Sequence, residues 1–99
     1  MTRLGTAEFI VVLVPESVGW SVLFPDLPGC ATQGDTLDEA IAMAADAVAG
    51  HTASMRDHGD QLPPPRSYDA VRADDAWAAE YGVNWSTAVV SRVRVATGA

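Results

Sequence analysis

The groups able to do chemistry in this 99-residue chain are thirteen carboxylates, two histidines and one cysteine. Hydrolysis of a phosphodiester by two divalent ions needs several carboxylates converging from separate elements, because the ions sit only ~3.5–4 Å apart. The first apolar run offers only Glu8, at its start, and the last offers none, so a nuclease of that kind is not expected. His51 and His58 are seven residues apart. On a helix that spacing gives one face but ~10 Å along the axis, too far to share one metal. Cys30 is the only cysteine, which excludes an internal disulfide and a multi-cysteine zinc site. No activating base adjoins it in sequence, so a small buried hydrophobe is its expected role. No catalytic residue, cofactor or metal is expected.

The most informative stretch, F-P-D-L-P-G-C over Phe24 to Cys30, is built for shape. Pro25 and Pro28 fix φ and remove amide donors, and Gly29 supplies a position able to take positive φ. Asp26 and Asp35 read as a turn residue and a residue preceding a helix cap. Cys30 to Gln33 has room for a short strand, after which Thr36-Leu37-Asp38-Glu39 matches a capping box. From Leu37 the apolar residues Ile41, Ala44, Val48 and Met55 recur at three- and four-residue steps. They predict one amphipathic helix of about 22 residues ending near Gly59. Residues 60–67, D-Q-L-P-P-P-R-S, cannot be helical and are read as a stiff extended spacer. Asp74 to Tyr81 suits a short helix stopped by Gly82, with Trp77, Tyr81 and Trp85 as a lid on the sheet.

These elements need a sheet to sit on. Glu8 to Val14 (E-F-I-V-V-L-V) reads as a strand ended by Pro15, and Trp20 to Phe24 as its antiparallel hairpin partner. Thr87 to Val95 alternates and is valine-rich, so it is the last strand. The order is β-β-β-α-(short α)-β, an α+β fold with a three-stranded antiparallel sheet and one long helix on one face. The right-handed crossover rule lays the last strand parallel to the first. One domain over residues 1–99 is expected, with tails at 1–7 and 96–99.

The first strand is apolar in both directions, Phe9, Val11 and Leu13 one way and Ile10, Val12 and Val14 the other. One helix covers one face, so the second must be covered by the proline-rich segment and short helix, by a second copy or by a different protein, and an oligomer, a partner-binding module or both is the expectation. Net charge is −7 and all six basic residues are arginine. Such a surface repels polyanions and attracts a basic protein. No basic-then-apolar leader and no apolar run of membrane-spanning length occurs, and a cytoplasmic location with no membrane partner is expected.

Gly19-Trp20-Ser21-Val22-Leu23-Phe24-Pro25-Asp26-Leu27-Pro28-Gly29-Cys30, then Thr32-Gln33-Gly34-Asp35-Thr36 and Leu37-Asp38-Glu39-Ala40, resemble the HicB-type antitoxin domain, as does the Leu62-Pro63-Pro64-Pro65 spacer. The resemblance runs from about Glu8 to Val95. It implies a partial RNase H-like fold, neutralisation of a small basic RNA-cleaving toxin of the HicA type, and assembly into dimers or tetramers. Antitoxins of this kind usually add a C-terminal ribbon-helix-helix or helix-turn-helix segment. Four residues follow Val95, so direct nucleic-acid binding is not expected. The candidate residues for a partner or oligomer interface are Ile10, Val12, Val14, Asp26, Leu27, Val90, Arg92 and Arg94. Arg92 and Arg94, on one strand face with Val90, either pair with acidic residues across an interface or keep that face solvated. The second reading of the whole is a stand-alone homo-oligomeric domain with a regulatory or small-ligand role.

Overall fold

In β1, Thr6–Pro15, six consecutive residues from Phe9 to Val14 are buried. The computed structural model describes residues 5–96. Strand β1 begins two residues before the predicted start, so the N-terminal tail is shorter than expected. It pairs antiparallel with β2, Trp20–Leu23, in the register Pro15↔Trp20 to Val12↔Leu23. The hairpin closes where the Glu16 amide donates to the Gly19 carbonyl at 3.0 Å. Gly19 has φ 75°, a left-handed conformation that costs a residue without Cβ little. Strand β3, Ala31–Gly34, pairs antiparallel with β2 and forms one edge.

The helix α1, Leu37–Asp57, begins as the capping residues predict: Thr36 is extended and its hydroxyl accepts the Glu39 amide at 3.1 Å. Its buried stripe is Ala40, Ala44, Val48 and Thr52, spaced by four, whereas Ile41 is exposed. Small side chains on that stripe bring the helix close to the sheet. Thr52 remains apolar in effect because its hydroxyl donates to the Val48 carbonyl at 2.8 Å. The chain then runs through the proline-rich spacer into α2, Tyr68–Arg72, and α3, Asp75–Glu80. The single short helix expected at 74–81 is thus preceded by a second, capped by the Ser67 hydroxyl accepting the Ala70 amide at 3.1 Å. The last strand, β4, is Val89–Ala96, and the sheet order is β3-β2-β1-β4.

The direction of β4 corrects the sequence expectation. It is antiparallel to β1, from Leu13↔Val89 to Thr6↔Ala96. The crossover rule assumes one pass over one face of the sheet. Here there are two passes: α1 descends over the first face, and residues 60–88 climb back over the other. The end of α1 lies beside the start of β1 and the end of β4, where the Arg56 guanidinium donates to the Ala96 carbonyl at 3.3 Å. The return under the sheet delivers the chain to the far end, from which β4 can only run backwards along β1.

The same return overturns the expectation that another molecule covers the second face. Phe9, Val11 and Leu13 pack with Val22, Phe24, Leu27, Val93, Val95 and the α1 stripe. Ile10, Val12 and Val14 pack with Val71, and with Leu23, Tyr68, Trp77, Val83, Trp85 and Val90 around them. Ile10 and Val12 are 2% and 0% exposed within the single chain. They are the floor of an intramolecular lid, so these two and Val14 are not an interface. Gly34 marks the tightest point of the other layer, because a Cβ there would run into the Ala40 backbone. Gly34→Ala is expected to cost ~2–3 kcal/mol of unfolding free energy, read as a lowered urea midpoint with an unchanged slope.

Candidate interaction surface

The turn between β2 and β3 shapes the principal candidate surface. The Leu27 amide bonds to the Phe24 carbonyl at 3.1 Å and the Cys30 amide to the Leu27 carbonyl at 3.0 Å, two consecutive tight turns. Gly29 takes φ 84°, as its position after Pro28 suggested. Leu27 is turned inward and 1% exposed, while Pro28 and Gly29 face out. Cys30 is buried and free, its sulfur 3.9 Å from the Ala47 carbonyl. Burial pushes its thiol pKa up, which suppresses the thiolate and leaves an inert packing group.

Asp26 is more than a turn residue. Its carboxylate is buried and accepts both the Arg66 amide at 2.7 Å and the Arg66 Nε at 2.5 Å. The same guanidinium reaches Asp74 at 3.0 Å and the Pro25 carbonyl at 3.4 Å. Asp74 in turn caps α3 by accepting the Trp77 amide at 3.1 Å. A continuous polar chain therefore ties the turn, the spacer and the lid together across 40 residues of sequence. Both carboxylates hold the Arg66 pKa above its ordinary value, Asp26 first. The Trp77 amide, and then Arg66, hold the Asp74 carboxyl below its ordinary value of 3.8. A depressed carboxyl stabilises the fold above its unfolded pKa and loses that contribution as pH falls through the lower folded one. The Asp74 arm of the clamp is thus made at neutral pH and is lost only in acid, below the ordinary carboxylate range.

Between this turn and α3 lies a pocket of about 450 Å³, walled by Leu23, Leu27, Pro28 and Trp77, with Glu80 and Tyr81 at its mouth. The Trp77 and Tyr81 rings are 5.5 Å apart and tilted by 38°. The sequence reading took these aromatics as lid packing alone. Trp77 does pack on the sheet, but Tyr81 is 49% exposed. Its exposure follows from α3 ending at the sheet's border, which no local pattern reveals. The turn and residues 66–81 carry Asp26, Asp69, Asp74, Asp75 and Glu80 against Arg66 and Arg72. Arg66 is held by two carboxylates, and Arg72 stacks over Trp85 at 4.9 Å and bonds the Tyr68 hydroxyl. This corner is negative.

The opposite edge has the other sign. Arg92 and Arg94 are exposed on the lid side of β4, and Val90 on that side is half-buried. Arg94 pairs with Glu8 of β1 at 3.2 Å, with both side chains well exposed. Arg56 adds a third cation nearby through its bond to Ala96. The structure therefore does not bring the eight candidate residues into one site. Ile10, Val12 and Val14 lie beneath the lid, Asp26 and Leu27 inside the turn, and Val90, Arg92 and Arg94 on the far edge strand. Among the described residues no group of three or more His, Cys, Asp or Glu is placed to hold a metal, and no helix is long and apolar enough to cross a membrane. Asp26→Asn removes the charge at the centre of the clamp and is expected to cost about 2 kcal/mol, discounted for the partly exposed guanidinium. Urea unfolding followed by tryptophan fluorescence measures it.

Comparison with known proteins gives this architecture a context. Residues 9–96 match the family described as HicB_like antitoxin of bacterial toxin-antitoxin system. Antitoxin HicB 2 of Photorhabdus laumondii is 54% identical over 33 residues, which are 33% of this chain and 24% of that protein. The chain thus aligns with about a quarter of that curated relative's length. Among solved structures, the N-terminal domain of Burkholderia pseudomallei antitoxin HicB superposes with TM-score 0.67 at 25% identity, over 89% of this chain and 96% of that one. A chain of the HicA3 and HicB3 toxin-antitoxin complex gives TM-score 0.66 at 25% identity, over 87% and 94%. With the motif, the strand order and the family match over 88 of 99 positions in agreement, this chain belongs to the HicB-like antitoxin family.

Proposed function

We propose that the chain is the non-enzymatic antitoxin of a toxin-antitoxin pair, acting in the cytoplasm by binding a small basic HicA-like RNA-cleaving toxin and masking its active surface. The observation that carries this reading is the negative corner formed by the turn and α3 in a family member whose net charge is −7. Charge of one sign on a small rigid surface speeds encounter with a partner of the opposite sign and rejects phosphate backbones. That favours a protein partner over nucleic acid for this domain. The solved HicA3 and HicB3 complex, with its similar fold, supports the same reading. Where a small basic HicA-like protein is encoded beside this gene, co-expression is expected to restore growth and yield a complex that co-purifies. Its affinity should fall at least about tenfold between 0.1 and 0.5 M salt. A neighbour that stays toxic and unbound refutes the assignment.

A second copy of the chain is the occupant we assign to the β4 edge, giving the dimer or tetramer expected of the family. The outer edge of β4 pairs with no strand in the described sheet, and unpaired edges are templates for strand addition. Val90 supplies apolar contact there, and Arg92 and Arg94 suit the carboxylates of an acidic copy. Sedimentation velocity is expected to give a dimer or larger species at micromolar concentration. A monomer throughout the accessible range overturns this part of the reading.

A further inference from the structure

We propose that the pocket between the β2–β3 turn and α3 is a receptor for one cationic side chain of the partner, arginine in preference to lysine. The inference rests on the antitoxin reading for the partner's basic character, but the chemistry of the pocket is its own. Leu23 and Pro28 give the pocket an apolar lining that offers a surface for an aliphatic stem. Two aromatic rings line the pocket, Trp77 and the more exposed Tyr81, with centroids 5.5 Å apart. A guanidinium entering there stacks on a ring face, where a cation is attracted by the π quadrupole. Glu80, exposed on the same rim, makes no ion pair among the described residues and supplies the counter-charge.

Charge decides the occupant. With Asp26 and Asp74 held by Arg66, the corner keeps Asp69, Asp75 and Glu80 without an ion pair among the described residues, while both arginines have partners. An apolar side chain would fill the walls yet leave Glu80 unused, and an acidic one would be repelled. The pocket's own chain also demonstrates the chemistry beside it, since Arg72 lies 4.9 Å from the Trp85 ring centroid. The structure thus offers a second aromatic site of the same kind, open to solvent. The β4 edge, lined by Arg92 and Arg94, has the wrong sign for the same ligand.

Two measurements test this on the full chain. In the first, N-acetyl-arginine amide and its neutral isostere N-acetyl-citrulline amide are titrated separately into labelled protein. Arginine amide should shift the Trp77 indole and the Glu80 and Gly29 amide signals, and citrulline amide should not. Equal shifts, or none, overturn the proposal. In the second, Glu80→Gln and Tyr81→Ala, both exposed, are compared with wild type for binding of a small basic HicA-like protein. Each should weaken the complex about tenfold, the size expected of one cation–aromatic or ion-pair contact in a partly desolvated site. Retention of wild-type affinity by both variants refutes the pocket and leaves the antitoxin function standing. Failure of the wild-type chain to bind the toxin, with arginine amide still shifting the pocket signals, refutes the antitoxin function and leaves the pocket chemistry standing.

Discussion

Everything in this fold answers to one constraint: β1 carries apolar side chains in both directions and must lose water from both faces. Each of the six residues from Phe9 to Val14 is worth ~1.5–3 kcal/mol when buried. Three left exposed would forfeit an amount comparable with the whole stability of a small domain, ~5–15 kcal/mol. Because α1 can lie on one face only, the chain has to pass the sheet twice. The cost is a 31-residue return, from His58 to Ala88, that contains only two short helices.

Helices of five and six residues do not persist alone, since nucleation costs more than one turn returns. Their apolar undersides, Val71, Trp77 and the residues around Trp85, give them adhesion but not position. Position comes from Arg66, which reads the turn through Asp26 and the lid through Asp74. The interaction does two jobs with one side chain: it satisfies a buried carboxylate and sets the distance between the turn and α3. That distance is the width of the pocket. The architecture of the turn and the recognition surface beside it are therefore one feature, and a change in the clamp alters both.

The periodicities that specify each element are local, and they were legible. The two-sided apolar run of β1, the Thr36 cap and the glycine after Pro28 appear where residue types place them, whereas the buried stripe of α1 runs through Ala40 and Thr52 and leaves the expected Ile41 exposed. The direction of β4 was not legible, because it depends on how many faces the preceding segment crosses, which no window of sequence encodes. The pairing of Asp26 with Arg66 was invisible for a related reason. Forty residues separate them, and a carboxylate between two prolines looks like any turn residue until the spacer returns beneath it. The two-sided apolar pattern of β1 was read correctly as a demand for cover. Its source was misassigned, because residues 60–88 were counted as a spacer and a minor lid when they hold enough apolar surface, in Val71, Trp77, Val83 and Trp85, to close the face.

That reassignment changes where a partner can act. With Ile10, Val12 and Val14 sealed, the molecule's recognition surfaces are its borders, and the sheet order keeps these apart. The turn and α3 belong to the β2 and β3 side, where carboxylates outnumber arginines, and the exposed Asp35, Asp38 and Glu39 extend the same sign to the start of α1. Arg56, Arg92 and Arg94 gather at β4, two strands away from β2. Among the described residues, the arginines other than Arg66 and Arg72 all lie at this one edge, so a chain of net charge −7 is electrically polar as well as acidic. A basic protein of the kind proposed is drawn to the side of the turn and α3 and repelled from the β4 side.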